Sequence, residues 1–206
     1  MSAFLGKIHY LLYNKIQLNE DLLGGILNFA EGKNIPVEEI KSKIYEKYGY
    51  PEKRDLEEAI DQGNIHGWLQ EKIQSVENRT AAIVTELINK HDIKMDDISK
   101  IYYDNGKRIM GAMEVKDFLP KDLFDIIFTY MLEGMPCDMI NEVIFESESE
   151  FSWKTTRCIH KQHWDKTGGE VNNFYTLRKA WINGLLDATE YSYIRSENGN
   201  NKITRG

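Results

Sequence analysis

The chain has 206 residues, of which 41% are hydrophobic and 29% charged; 33 acids against 26 bases give a net charge of −7. That balance fits a soluble folded protein and argues against a nucleic-acid binder, which would show a basic footprint. No apolar run reaches the eighteen or so residues of a membrane helix, so neither nucleic acid nor membrane is an expected partner. With 2 Cys, 4 Pro and 15 Gly, the chain is neither disulfide-dense nor collagen-like.

In chain order, residues 4–31 read as helix. Phe4, Ile8, Leu11, Leu12 and Ile16 recur at helical spacing, as do Leu22, Leu23, Ile26, Leu27 and Ala30. Gly24-Gly25 between the two sets suggests two pieces. Pro36 opens a helix over 37–48, with Glu38 and Glu39 in its first turn, and Asp55 caps a short one that stops before Gly63. Asn64 is a good N-cap for the best-patterned helix, which runs to about 90 on a stripe from Ile65 and Trp68 to Leu87 and Ile88. Residues 95–113 look helical with a break near Asp104-Asn105-Gly106, and Pro120 begins another helix over 121–133.

Beyond Pro136 the period changes. Residues 141–146 predict a strand, and the alternation of Phe151, Trp153 and Thr155 predicts a second. A helix follows over 169–186, then a strand on Tyr191, Tyr193 and Arg195. Asn198-Gly199 signals a hairpin returning as a short edge strand over 202–205. The expected class is α+β: a mostly helical front two thirds, then a small antiparallel sheet with one packed helix. Residues 1–60 form a helical segment packed on an α+β domain over 61–206, a single compact unit.

The opening residues lack a basic stretch followed by a long apolar one, so no export signal is read and the expected compartment is the cytoplasm, with Cys137 and Cys158 reduced. Asn78-Arg79-Thr80 matches a glycosylation acceptor, but inside a helical pattern it reads as chance. From 151 to 206 there are nine Lys or Arg and five Asp or Glu, a surplus of four positive charges, so the first 150 residues carry −11. Either the two parts attract each other, or the C-terminal part faces an anionic ligand.

Phosphate-loop, dinucleotide, zinc-protease and serine-hydrolase motifs are absent, as are the paired E-x-x-H helices of a di-iron bundle. The densest polar set is Cys158-Ile159-His160-Lys161-Gln162-His163-Trp164-Asp165, read as a loop after a strand. Cys158 could be a nucleophile with His160 or His163 as base, and Arg157 and Lys161 would favour the thiolate. The same thiol and imidazoles could supply three zinc ligands, but no fourth is marked, so no metal and no cofactor is expected. The alternative is a buried Cys158 with two surface histidines. A second set, His66, Gln70, Ile73 and Glu77, lies nearly on one line of the long helix; His66 and Glu77, about 16 Å apart, cannot share a metal but could each line a cleft. His9 reads as structural or exposed, and His91 as standing near a helix C-terminus, where the dipole favours an imidazolium. Most aromatics lie on apolar stripes and read as core, except Trp164, in the polar loop.

The order strand 151–157, Cys158, His160, Trp164, Gly168, a helix with Trp181 and Gly184, strand, glycine turn, strand resembles the C-terminal part of the L-2-amino-thiazoline-4-carboxylate hydrolase-like proteins. These are similar in turn to small-molecule-binding domains of the vinyl-reductase type. The resemblance implies a small-molecule pocket and hydrolysis of a cyclic amidine carboxylate, with Cys158 and His160 near the site. The further cysteines by which vinyl-reductase-type domains hold zinc are missing here. The expected function is therefore binding of a small, anionic organic molecule, with or without its hydrolysis. Cys158, His160 and His163 are the catalytic candidates; Arg157, Lys161 and Trp164 are the ligand-binding ones. The alternative is a non-catalytic sensor or interaction module, and a homodimer is left open.

Overall fold

A computed structural model describes residues 5–114 and 117–206. Phe4 and the opening residues lie outside the described ones. The elements are α1 (Lys7–Gly32), α2 (Val37–Tyr48), α3 (Leu56–Ala59), α4 (Ile65–His91), α5 (Met95–Gly111), α6 (Pro120–Tyr130), β1 (Asn141–Glu146), β2 (Glu150–Thr155), α7 (Lys161–Thr167), α8 (Val171–Leu186), β3 (Tyr191–Arg195) and β4 (Asn200–Arg205). The class is α+β: a helical front, then a four-stranded antiparallel sheet with helices packed on it. No helix among the described residues is long and apolar enough to cross a membrane.

α4 is the spine, about 40 Å long at 1.5 Å per residue. The Asn64 side chain accepts a hydrogen bond from the Gly67 N–H at 3.1 Å and starts it, and Asp92 ends it in the left-handed conformation. α1 and α2 pack on α4, and one hydrophobic cluster joins Leu22, Leu23 and Ile26 of α1 to Val84 and Leu87 of α4, Trp181 of α8 and Ile203 of β4.

Two helices run unbroken where glycine pairs or polar runs suggested a break. α1 continues through Gly24-Gly25, because Gly25 is where α1 lies on α5: a Cβ there would come within 3.1 Å of Ile101. Burial of Leu22, Leu23, Ile26 and Leu27 outweighs the roughly 1 kcal/mol that each glycine costs. α5 continues through Gly106 for a related reason. A Cβ on Gly106 would overlap the Trp181 carbonyl, and one on Gly184 would overlap that of Tyr103. The two glycines let α5 and α8 touch backbone to backbone, and Trp181 seals the crossing by donating its indole N–H to Asn105 Oδ1 at 2.9 Å.

The strand order is β1-β2-β4-β3, so β4 is a central strand and not the edge expected from its hairpin. It pairs with β3 across the Asn198-Gly199 turn and with β2 on its other side, with Phe151 opposite Ile203. The inner face carries Phe151, Trp153, Tyr193 and Ile203, covered in part by α6, whose Phe124 ring lies 4.7 Å from Phe151 and 4.9 Å from Trp153. A closed ring of buried and half-buried polar groups stitches this face to α8. Arg178 Nε donates to Glu133 at 2.5 Å and its Nη1 to the Tyr193 hydroxyl at 2.7 Å; Tyr193 donates to Asn201 at 2.7 Å. Asn201 donates to Thr155 and Thr155 to Asn141, both at 3.1 Å, and Asn141 returns to Glu133 at 2.9 Å.

Candidate functional site

The polar segment after β2 is not a loop throughout. It crosses the surface over 156–159, then turns into α7, with His160 as N-cap: its carbonyl accepts the N–H groups of His163 at 2.9 Å and Trp164 at 3.4 Å. α7 turns its His163–Trp164 side onto α4. Hence Cys158 is exposed while His160, His163 and Trp164 are buried, the reverse of the reading with a buried thiol and surface histidines. Trp164 is 2% exposed and lines a small pocket with Glu77, Tyr102, Phe174 and Leu177.

α4 supplies the partners. Glu77 places both carboxylate oxygens on His160 Nδ1, at 3.0 and 2.9 Å, and the His160 ring stacks on Phe174 with centroids 3.7 Å apart. Asn78 Oδ1 lies 2.9 Å from His163 Nδ1. That ring nitrogen therefore donates, and Nε2 keeps its lone pair. His163 Nε2 lies 3.5 Å from the Gln162 amide and 3.8 Å from Glu77 Oε2. Burial holds the His163 pKa below its ordinary value, the His160 and Lys166 charges act in the same sense, and the Glu77 charge opposes them.

In front of this pair opens a cleft of about 420 Å³, lined by Gln70, Ile73 and Glu77 of α4, Gly134 and Asp138 on one side, and Arg157, Cys158, Ile159, Gln162 and His163 on the other. Gln70, Ile73 and Glu77 are three of the four residues placed on one line of the long helix; His66 faces away and meets His9, with their Nε2 atoms 3.3 Å apart. Of the six candidate residues, Arg157, Cys158 and His163 share the cleft. His160 is enclosed behind Glu77, Trp164 is core, and Lys161 is tied to Asp165 at 2.5 Å one turn along α7.

At the cleft edge Arg157 Nη2 meets Asp138 Oδ1 at 3.2 Å, while Asp138 Oδ2 accepts the Met135 N–H at 2.9 Å and so fixes the turn that carries it. Cys158 makes no hydrogen bond with either histidine among the described residues. Its neighbour is Tyr175, whose hydroxyl is pushed up to about 12 by burial first and by the Cys158 contact second, with the Arg195 guanidinium 3.6 Å over its ring. Among the described residues no group of three or more His, Cys, Asp or Glu is placed to hold a metal ion. Sequence reasoning missed Asp138, Gln162 as a cleft residue, Asn78 as the partner of His163, and Tyr175. Gln162 stands inside the polar run and bonds locally, to the Ile159 carbonyl, so nothing sets it apart from its neighbours; Asp138, Asn78 and Tyr175 acquire their places through contacts distant in sequence.

No protein-family model matches this chain, and no match to it is found among curated proteins or among solved structures.

Proposed function

We propose that the cleft between α4 and the 157–163 segment binds a small zwitterionic molecule, one that carries a carboxylate and an amidinium or ammonium group. The observation that carries this reading is the Arg157–Asp138 pair at the cleft edge. An anion alone would meet Arg157 but also Asp138 and Glu77. A zwitterion can divide the pair, carboxylate to Arg157 and cation to Asp138, and so replace one exposed ion pair by two charge-assisted contacts. A cyclic amidine carboxylate, the ligand class implied by the resemblance of the last third, has both groups. The cytoplasm, where Cys158 stays a free thiol, is the compartment that goes with this reading.

Hydrolysis is the second reading, and His163 favours it. A neutral imidazole with Nε2 on the cleft can accept a proton from water as the water oxygen adds to the amidine carbon. That proton then passes to the ring nitrogen as its bond to carbon breaks. In this scheme His163 is the base, Asn78 holds it in the required tautomer, and Cys158 lines the site without attacking.

Thermal shift and calorimetry with 2-aminothiazoline-4-carboxylate, and with acetate as a plain carboxylate, test the binding. The zwitterion should raise the melting midpoint and acetate should not. Arg157→Ala and Asp138→Asn should each weaken binding by about tenfold or more, the size of one charged hydrogen bond, and Lys161→Ala should leave it unchanged. Equal binding of acetate, or indifference to Asp138→Asn, overturns the zwitterion reading. Product formation lost in His163→Asn with binding retained makes the protein a hydrolase. Binding without turnover leaves a sensor, and rapid alkylation of Cys158 blocked by ligand would instead favour a thiolate nucleophile.

A further inference from the structure

On another part of the surface, α2, the last turns of α4 and the end of α7 enclose a groove of about 270 Å³ that shares no lining residue with the cleft. Four lysines line it: Lys43 and Lys47 from α2, Lys90 from α4 and Lys166 from α7. Its one lining acid is Glu86, which is held by Lys90 at 2.9 Å. Lys43, Lys47 and Lys166 have no ion pair among the described residues. Lys47 and Lys166 both lie over the half-buried ring of Tyr48, at 4.9 and 5.5 Å. The lining also includes Asn89 and Thr167, and Thr85, whose hydroxyl is buried beneath Gly169 with no hydrogen-bond partner among the described residues.

The charge here runs against the rest of the molecule. In a chain of net −7 the groove lining carries a surplus of three positive charges. Lys43 and Lys47 are like charges one helical turn apart, an arrangement that costs a few tenths of a kcal/mol. The helix ends explain part of it, because Lys47, Lys90 and Lys166 each stand in the last turn of a helix. Each helix C-terminus is worth about −0.5 charge, so three ends offset about half of the surplus. The remainder is a local surplus of positive charge on the lining of a concave site of small-molecule size, with an aromatic ring beneath two of the ammonium groups.

We infer that this groove is a binding site for the phosphate groups of a small polyanionic metabolite, a diphosphate or a sugar or nucleoside phosphate with at least two negative charges. A nucleic-acid strand would have to lie on a molecule whose overall charge repels it, and the groove is too short for several consecutive phosphates.

Calorimetry with inorganic pyrophosphate as the probe, at low and at physiological salt, tests this on the full chain. Binding should weaken as salt rises. Lys47→Gln and Lys166→Gln should each weaken it about fivefold and together about twentyfold, with Lys47→Arg retaining it, while Lys179→Gln, on the exposed side of α8, and Arg157→Ala in the cleft should have no effect. All of these side chains are exposed, and unchanged melting midpoints without ligand separate loss of binding from loss of fold. No heat at low salt, binding intact in Lys47→Gln/Lys166→Gln, or an equal loss in Lys179→Gln overturns the proposal. So does affinity for a single-stranded oligonucleotide or for phosphatidylserine vesicles without affinity for pyrophosphate. Because Arg157→Ala removes the zwitterion contact alone, failure of this site and failure of the cleft are read separately.

Discussion

Lys15 sits on the buried face of α1, 3% exposed, with its ammonium 4.1 Å from the centre of the Phe128 ring. Burial pulls its pKa down to about 8 from an ordinary 10.5, against the favourable charge of Glu133. A base whose folded pKa is depressed is a stability cost below that pKa, and the cost fades as pH rises through the interval to the unfolded value. Lys15→Met should therefore raise the stability at pH 7, read from the denaturant midpoint, by on the order of 2 kcal/mol, and the gain should shrink to nothing by about pH 10.5. A gain that is the same at both pH values would show that shape and not charge decides this position. Trp181 and Trp68 divide in a similar way. Both lie on apolar stripes, but Trp181 is fully buried and hydrogen-bonded, whereas Trp68 is only partly buried at the edge of a smaller cluster. Trp181→Ala should cost about 3–5 kcal/mol and Trp68→Ala clearly less, read from urea midpoints. The stripe identified both tryptophans. Depth was not legible, because it depends on what lies across the helix; the same gap put Trp164 in a loop when α7 turns it into the core.

The α5–α8 crossing shows what an element-scale signal hides. Asn105-Gly106 in a helical pattern reads as a break, yet Gly106 and Gly184 are the points at which the two backbones meet. Gly106→Ala should not strengthen α5 by the usual helix-propensity gain. It should force the helices apart and lower the melting midpoint by several degrees, as should Gly184→Ala. A stabilised Gly106→Ala protein would refute the close crossing. The bounds of α2 and β1 followed from local rules, a proline and acids at one end and β-branched residues at the other. α7 escaped because seven residues give too few turns for a period, and most of them are polar. The centrality of β4 escaped because its second partner, β2, lies some fifty residues earlier, and a hairpin turn fixes one neighbour only. The cleft was half legible for the same reason. The 157–163 wall is contiguous in sequence, and the α4 wall appeared as a line of side chains without a sign of what it faces.

Over the whole molecule, the uneven charge is partly spent between its two parts. Arg178 pairs with Glu133, Arg157 with Asp138 and Lys202 with Glu150, each joining a base after 150 to an acid at or before it. These pairs make acid pH the natural probe of the assembled fold. Two groups define the windows. Burial keeps His163 neutral below its ordinary pKa, so as pH falls through about 6.5 the unfolded chain takes up a proton that the folded one resists, and stability falls. Glu133 behaves as a carboxylate held below its ordinary range: burial pushes it up, but the Arg178 charge, with help from Asn141 and His160, outweighs that. Its contribution is complete above the unfolded value of about 4.3 and is lost as pH drops below it. Urea midpoints across pH 8 to 4 should therefore decline in two steps, the first near pH 6.5 and the second below about pH 4.5. His163→Asn should remove the first step and leave the second, while Glu133→Gln, which leaves Arg178 buried without its counter-charge, should lower stability by about 3–5 kcal/mol above about pH 4.5, a loss that shrinks as pH falls below it, and so flatten the second. A first step of equal size in His163→Asn would assign it to another histidine and would remove the argument that a neutral imidazole faces the cleft at physiological pH.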